Sequence, residues 1–251
     1  MKTISFALQK GGVGKTSISV SIAYNLALKK KTLFIDADPQ GNATSWIMGD
    51  GNLNYELVDF LQNKKKAKEC ILKTKTENLF ILPTASLDSN LRTYQALEAV
   101  QNPYRFLDLI EEVKEDFDYC IIDTSPSFDY LNQSIFLASD EIINVISLDE
   151  FSKDGLQIFN ESLQSLRKRY RMPENKGVRD KIIINSYEKS RKEQNLYLDF
   201  FDNVKKLGFK LYIVPRTISF PRAQRKKIPL YSLKTTRKDV LNIINDICKK
   251  I

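Results

Sequence analysis

Short apolar runs recur along the chain and alternate with stretches in which apolar residues are three or four positions apart. A short continuous run predicts a strand buried on both faces, and the wider spacing predicts a helix with one buried face. This alternation predicts an α/β fold, with a mostly parallel, twisted sheet and helices on both faces. Seven runs are predicted to be strands: Ile4–Leu8, Leu33–Ile35, Leu79–Leu82, Tyr119–Asp123, Ile142–Ile146, Ile182–Asn185 and Leu211–Pro215.

Helical spacing follows most of these strands. The first helix begins directly after the first strand, with Ile18, Ile22 and Leu26 on one face. Pro103 suits a helix start, because its fixed φ matches the first turn. The other predicted helices cover Tyr55–Leu61, Leu87–Val100, a stretch with Phe106, Leu107 and Ile110 on one face, and a stretch with Leu156, Phe159, Leu163, Leu166 and Tyr170 on one face.

The last predicted helix has an apolar face whose partner the sequence leaves open. Val240, Ile244, Ile247 and Ile251 share that face, and Lys249 and Lys250 flank it. It is either an amphipathic membrane anchor or a terminal helix packed on the sheet. Its apolar positions are aliphatic, without the Phe or Trp frequent in interfacial anchors, and this favours the packed helix.

A glycine-rich loop joins the first predicted strand to the first predicted helix, and its sequence is Lys10-Gly11-Gly12-Val13-Gly14-Lys15-Thr16. Glycines let consecutive backbone N–H groups approach phosphate oxygens, and the helix N-terminus adds partial positive charge. Lys15 is suited to neutralise the outer phosphates and the Thr16 hydroxyl to bind Mg²⁺. The common pattern G-x-x-x-x-G-K-[ST] is modified here, because Gln9 replaces its first glycine and Lys10 adds a second lysine. A simple turn with two solvated lysines is the alternative, which the strand before and the helix after disfavour.

Carboxylates follow two of the predicted strands. Asp36 and Asp38 end the second run, and Asp123 ends the fourth. Ligands bind at the carboxyl ends of strands in open α/β sheets, where such groups hold Mg²⁺ or orient an attacking water. Each aspartate alone could be an acidic turn after a strand. Beside a phosphate-binding loop, the three together predict a nucleotide site.

Composition limits the classes of protein to which the chain can belong. A chain of 251 residues with 42% hydrophobic and 28% charged residues suits one domain over 1–251. There is no apolar run long enough to cross a membrane and no signal peptide. The absence of histidine excludes histidine bases and histidine metal ligands. Three cysteines without paired spacing fit a reducing compartment, with Cys120 as a core residue.

The net charge of +8 is concentrated at the C-terminal end. Residues 216–251 contain ten Lys/Arg and two Asp, which equals the whole surplus. Such a basic segment predicts a polyanionic partner, with a solvated loop as the alternative. The candidate DNA contacts are Arg216, Arg222, Arg225, Lys226 and Lys227. A second basic cluster, Arg167–Arg171, fits equally well a nucleic-acid role and a favourable interaction with the helix dipole.

The loop K-G-G-V-G-K-T, with its extra lysine, resembles the deviant Walker A loop of the ParA/MinD ATPases, whose fold is of the P-loop NTPase type. The resemblance extends from about Thr3 to Pro229. The run D-x-D-P-Q-G-N that begins at Asp36 resembles the ParA motif, and the corresponding segment of MinD lacks its Pro-Gln-Gly. Asp123 then corresponds to the Walker B aspartate. The following D-T-S-P-S is close to the family's D-T-P-P-S, with Ser125 in place of the first proline.

This resemblance implies specific roles. Lys10 would reach the nucleotide of the other subunit of a dimer, and Asp38 would position the hydrolytic water. Asn185 and the backbone after Pro215 would frame the adenine. The implied catalytic residues are Lys10, Lys15 and Asp38; the nucleotide-binding residues are Gly11, Gly12, Val13, Gly14, Lys15, Thr16, Ser17, Asn185 and Pro215; the metal-binding residues are Thr16, Asp36 and Asp123.

The resemblance implies a partition ATPase that uses ATP and Mg²⁺ and has weak intrinsic hydrolysis. It would form a homodimer on binding ATP, bind double-stranded DNA non-specifically, and be released by a ParB-like partner. It would be cytoplasmic and nucleoid-associated, without the N-terminal DNA-reading domain of larger ParA proteins. The alternatives are a MinD-like membrane-surface ATPase, a P-loop biosynthetic enzyme and an iron–sulfur reductase. The last would need cysteine spacings that this chain lacks.

Overall fold

A computed structural model describes residues 1–8, 10–49, 51, 53–85, 90–148, 150–188, 202, 204–206 and 208–251, with backbone alone for 150–153. Its centre is an eight-stranded sheet in the order β3-β4-β2-β5-β1-β6-β7-β8. All neighbouring strands are parallel except β3, which is antiparallel to β4. The strands are β1 Lys2–Ala7, β2 Thr32–Ala37, β3 Leu72–Lys73, β4 Leu79–Leu82, β5 Tyr119–Thr124, β6 Glu141–Ser147, β7 Lys181–Tyr187 and β8 Lys210–Pro215.

Each predicted helix has a counterpart among the helices of the structure, which also contains helices that were not predicted, such as Tyr130–Ala138. Of the predicted face of α6, Phe106 and Ile110 are buried and Leu107 is partly buried, while Leu109 and Val113 complete the buried face. The predicted helix Leu87–Val100 lies partly outside the described residues; within them it consists of α5 and a 3₁₀ turn at Ala99–Gln101. The α-helices are α1 Lys15–Leu26, α2 Asn42–Met48, α3 Leu57–Leu61, α4 Ala67–Cys70, α5 Asn90–Leu97, α6 Arg105–Val113, α7 Tyr130–Ala138, α8 Glu150–Tyr170, α9 Ser219–Lys226 and α10 Lys238–Lys250.

The sheet is buried on both faces, as the fold prediction requires. Ile121 packs into one hydrophobic core, whereas its neighbours Cys120 and Ile122 pack into the other. Because successive side chains of a strand point to opposite faces, a strand with helices on both sides needs an unbroken apolar run. The α/β prediction is therefore confirmed.

The C-terminal helix α10 packs on the rest of the chain. Val240, Ile244 and Ile247 are buried in the same core as α1. At its surface, Asn25 Nδ2 of α1 donates to Asn245 Oδ1 at 2.6 Å. The packed helix is thus confirmed over the membrane anchor. Across the described residues, no helix combines the length and the apolarity that a membrane span requires.

Candidate nucleotide site

The glycine-rich loop lies at the carboxyl edge of the sheet, between β1 and α1. Gly12 and Gly14 have φ values of 75° and 92°, a left-handed region that disfavours side chains. A Cβ on Gly14 would lie 2.1 Å from Asn185 Nδ2, so this position has room for glycine alone. Among the described residues, no atom lies within 4 Å of a Cβ added to Gly11 or Gly12. The outer side of the loop is therefore open.

Lys15 lies where the loop joins α1, and its side chain is buried. Nζ donates to the carbonyls of Leu8 at 3.4 Å and Lys10 at 3.2 Å. Burial lowers the pKa of Lys15, and the charges of Asp123 and Asp38 oppose this shift. The side chain is buried because Lys15 is the first residue of α1 and its Nζ lies under the loop carbonyls. The loop carbonyls accept hydrogen bonds from the Lys15 ammonium, a group that can equally bind phosphate oxygens.

Asp123 near the end of β5 is fully buried, and one of its oxygens lacks a partner. Oδ1 accepts from the Ser19 hydroxyl at 3.2 Å, whereas Oδ2 has no hydrogen-bond partner in the described part of the chain. Burial raises the pKa of Asp123 to about 7, although the Thr16 hydroxyl and Lys15 partly offset it. An unpartnered buried carboxylate oxygen next to a threonine hydroxyl fits a magnesium ligand set.

Asp36 lies beside Asp123, since the two are directly paired in the β2–β5 register. Its Oδ2 accepts from the backbone N–H and the hydroxyl of Thr44, both at 2.7 Å, so it also holds the first turn of α2. Burial and the nearby Asp123 raise the pKa of Asp36 to about 8. A cation would stabilise both carboxylates at once.

Asp38 follows in a turn between β2 and α2. Its Oδ1 accepts from the Gln40 N–H at 2.9 Å, and its carbonyl accepts from the Gly41 N–H at 2.9 Å. The half-buried carboxylate is close enough to affect the pKa of Lys15, Asp36 and Asp123. The described residues hold no group of three or more His, Cys, Asp or Glu suited to a metal. A metal here would accordingly rely also on Thr16 and on ligand oxygens.

Asn185 on β7 contacts the loop, since its Nδ2 donates to the Val13 carbonyl at 2.9 Å. Pro215 ends β8 and pairs with Tyr187 in the adjacent strand. Beyond them lies an open groove of about 880 Å³. Its walls are Tyr187, Glu188, Pro215, Arg216, Thr217, Ile218, Ser219, Thr235 and Arg237. The two residues expected at the adenine therefore lie at the same edge of the sheet as the loop.

The predicted DNA-contacting residues do not all lie together. Arg222, Arg225 and Lys226 are exposed on α9, and exposed Lys227 ends that helix. The part of the segment at Ser219–Lys226 is thus a helix and not a loop, and its basic side chains are exposed to solvent. Arg216 instead lines the groove beyond β8 and forms an ion pair with Glu188.

The second basic cluster has a partly structural role. Nη1 of Arg167 donates to the carbonyls of Lys176 at 2.8 Å and Gly177 at 3.4 Å, which closes the turn after α8. Lys168, Arg169 and Arg171 remain exposed. Arg167 therefore stabilises the fold through hydrogen bonds to backbone carbonyls.

Sequence reasoning missed the polar groups that support the site. Thr44 holds Asp36, and Ser19 holds Asp123; a serine three positions after Thr16 on one helix face was a usable signal. The Ser125 hydroxyl accepts from Asn132 at 2.9 Å and from Gln95 at 3.1 Å. These bonds tether the loop after Asp123, where the family pattern has a proline.

Comparisons with known proteins identify the family of this chain. A family model described as an AAA domain matches residues 1–176. The chain is 33% identical to protein BBD21 of Borreliella burgdorferi over 97% of this chain and 96% of that protein. It is 29% identical to the virulence plasmid ParA family protein pGP5-D of Chlamydia psittaci, over 100% of this chain and 96% of that one.

A solved ATP complex of Cyanothece McdA has the same fold. The TM-score is 0.87 at 21% identity, over 99% of this chain and 95% of that chain. That protein was solved with ATP bound, and the septum site-determining protein MinD of Pyrococcus horikoshii, 22% identical to this chain with a TM-score of 0.78, was solved with Mg-ADP. The loop, the carboxylates at the strand ends and these relatives lead to one conclusion: the chain belongs to the ParA/MinD family of P-loop ATPases.

Proposed function

We propose that this chain is a DNA partition ATPase, whose ATP-bound dimer binds DNA non-specifically and is released when a ParB-like partner stimulates hydrolysis. The main support is α9, which exposes Arg222, Arg225 and Lys226 while it buries Phe220 and Ala223. The name of the relative pGP5-D, a virulence plasmid ParA family protein, suggests the same process. The proposed location is the cytoplasm, on the nucleoid.

The loop residues bind the phosphates in this proposal. Gly11 to Gly14 present backbone N–H groups, and Lys15 exchanges its loop carbonyls for phosphate oxygens. Thr16, Asp123 and Asp36 would hold magnesium, which when bound neutralises phosphate charge. Asp38 orients the attacking water from its turn beside these groups, because orientation and electrostatics supply most of the catalysis in phosphoryl transfer.

The dimer would form over the open side of the loop. In the part of the chain that the structure describes, no atom lies within 4 Å of a Cβ added to Gly11 or Gly12, which leaves room for the backbone of a second subunit. Lys10 of the neighbouring subunit would then stabilise the charge on the transferred phosphoryl group. Asn185 and the groove after Pro215 would receive the adenine.

Two basic helices in one dimer would contact one duplex. Contact with phosphates releases counterions, so affinity should be independent of sequence and fall with salt. Once one helix is bound, the second contact is intramolecular, and this makes the dimer the tighter binder. A MinD-like role on membranes has less support, because the apolar face of α10 is covered by the chain itself.

The decisive experiment measures binding to two unrelated duplexes with ATP, with ADP and without nucleotide. Wild type should bind both duplexes equally and most tightly with ATP. Lys10→Ala should abolish the tighter DNA binding expected with ATP, because the dimer loses the lysine charge that bridges its two subunits. Lys30→Ala is the matched control, since Lys30 is an exposed lysine beyond α1.

A double variant, Arg222→Ala with Arg225→Ala, tests the surface in the same assay. Each lost phosphate contact should flatten the slope of log affinity against log salt by about 0.9. Wild-type binding by this variant across a salt titration would contradict the assignment of α9. If wild type bound DNA equally tightly with ATP and with ADP, the proposed dependence of DNA binding on ATP would be contradicted.

A further inference from the structure

Trp46 joins two parts of the chain that are 182 residues apart. Its indole is buried, and Nε1–H donates to the carbonyl of Ile228 at 3.0 Å. Trp46 lies in α2, and Ile228 follows the basic helix α9 directly. It is also the only tryptophan in the chain. The contact connects a helix of the nucleotide site to the proposed DNA-binding helix.

At its start, α2 is attached to the nucleotide site. Asp36 accepts two hydrogen bonds from Thr44, in the first turn of the helix. The Thr44 hydroxyl also accepts from the Thr84 N–H at 3.0 Å, and the Thr84 hydroxyl donates to the Asp36 carbonyl at 2.6 Å. A ligand that contacts Asp36 or the turn at Asp38 would therefore shift this end of α2.

At its other end, α2 contacts the end of α9. Lys227 has a left-handed φ of 56°, and the N–H groups of Lys227 and Ile228 donate to the carbonyls of Gln224 and Ala223. This closed helix end fixes the carbonyl of Ile228 relative to the helix. A Cβ on Gly49, just after α2, would lie 3.2 Å from Lys227 Cδ. The two helix ends thus meet at two points.

We propose that Trp46 is a positioning residue that couples the Asp36–Asp38 loop to α9, so that the bound nucleotide sets the affinity of α9 for DNA. The inference rests on the proposed function for the identity of the DNA ligand, and it adds the physical connection. Seven helical residues span about 10 Å and move as one unit. A change at the first turn of α2 therefore displaces Trp46, and its hydrogen bond transmits the displacement to Ile228.

Coupling of this kind is reciprocal, and this gives a second observable. If nucleotide tightens DNA binding by some factor, DNA must tighten nucleotide binding by the same factor. Trp46→Phe retains an aromatic ring in the core and removes the N–H donor. Both factors should fall together in this variant, by about fivefold for the loss of one buried hydrogen bond.

The experiment measures the affinity for a labelled duplex by fluorescence anisotropy, with a non-hydrolysable ATP analogue and with ADP. Trp46→Phe should lower the ratio of the two affinities, while its affinity for the analogue without DNA and its sedimentation as a dimer remain those of wild type. Ser45→Ala is the matched control, because Ser45 is exposed on the same helix. An equal loss of DNA affinity in both nucleotide states would overturn the proposal, since it would show a static packing role.

The emission of Trp46 in wild type tests the coupling without DNA. Saturating analogue should shift the emission, because the indole environment changes when α2 moves. Unchanged emission at saturation, with binding verified by calorimetry, would overturn the coupling. If wild type binds no duplex in any nucleotide state, the DNA function fails, and a shifted emission would still support the link between the loop and α9.

Discussion

Buried charged side chains are arranged differently at the two ends of the strands, which form the amino edge and the carboxyl edge of the central sheet. At the amino edge, Lys181 and Glu141 are almost fully buried and form an ion pair at 2.6 Å; Lys2 contacts the same glutamate at 3.0 Å, and Asp180 contacts Lys181 at 2.8 Å. At the carboxyl edge, Lys15, Asp36 and Asp123 are buried without an ion pair among the described residues. The charged groups of the amino edge are paired within the chain, whereas Asp123 Oδ2 at the carboxyl edge has no hydrogen-bond partner among the described residues.

The two buried lysines show the same contrast in their pKa values. Burial disfavours the charged form of both. Hydrogen bonds to Asp180 and Glu141 outweigh it for Lys181 and raise the pKa, whereas burial prevails for Lys15 and lowers the pKa. Local departures from full satisfaction mark functional sites in folded proteins. The unpartnered oxygen of buried Asp123 therefore agrees with the nucleotide site that the motif indicates.

The largest effect is expected at the carboxyl edge. Lys15→Ala should weaken ATP binding by about 100-fold or more, because charge-assisted hydrogen bonds to phosphate are worth about 1.5–3 kcal/mol each. Calorimetric titration with ATP checks this, with Lys30→Ala as the control for lost charge. Near-wild-type affinity in Lys15→Ala would show that another group binds the outer phosphates.

A comparable change at the amino edge should affect stability alone. Lys181→Met should cost about 3 kcal/mol, because breaking a buried ion pair leaves Glu141 with Lys2 as its remaining partner. The melting temperature should fall by roughly 6–12 °C, with unchanged ATP affinity. Lys210→Met, which breaks an exposed pair with Asp180, should cost less than about 1 kcal/mol. If Lys181→Met weakened ATP binding instead, the two edges would not be independent.

The last effect concerns the direction in which stability changes with pH. The pKa values of Asp36, about 8, and Asp123, about 7, exceed the pKa of about 4 for aspartate in an unfolded chain. Between its unfolded and folded pKa values, each group binds more protons in the folded state than in the unfolded state. Without nucleotide and metal, stability should therefore fall as the pH rises from about 4 to about 7 for Asp123 and to about 8 for Asp36.

Urea unfolding at several pH values with a chelator present measures this slope. Asp123→Asn should flatten it, because the amide does not titrate. Asp108→Asn, at an exposed position of α6, is the control and should leave the slope unchanged. A slope that is unchanged in Asp123→Asn would contradict the contribution of Asp123, because only the part due to Asp36 should remain.

The sequence predicts the sheet and the site edge because both depend on local patterns. Unbroken apolar runs indicate strands covered on both faces, and their carboxyl ends bring Asp36 and Asp123 to one edge. The two-residue strand β3 was missed, since a half-buried Leu72 and an exposed Lys73 leave no run to detect. The direct pairing of Asp36 with Asp123 depends on strand register, which local patterns do not encode.

Long-range contacts were also beyond sequence reasoning. A charge count groups Arg216 with Arg222, but the chain turns between them and places Arg216 in the groove beside Glu188. The hydrogen bond from Trp46 to Ile228 has no periodicity or motif that predicts it. The burial of Lys15 follows from the path of the loop over its own helix, which the glycines permit without specifying.

The small strand β3 affects how copies of this chain can assemble. It pairs Leu72 with Ile81 and Lys73 with Phe80, and so occupies the hydrogen-bonding edge of β4 with a strand too short to accept another. Short outer strands and exposed lysines oppose the addition of strands from other molecules. In the described part of the chain, β8 is the only other outer strand. A polymer that grows in both directions by continuing the sheet is therefore disfavoured, and larger assemblies of this ATPase would be built through helices and loops.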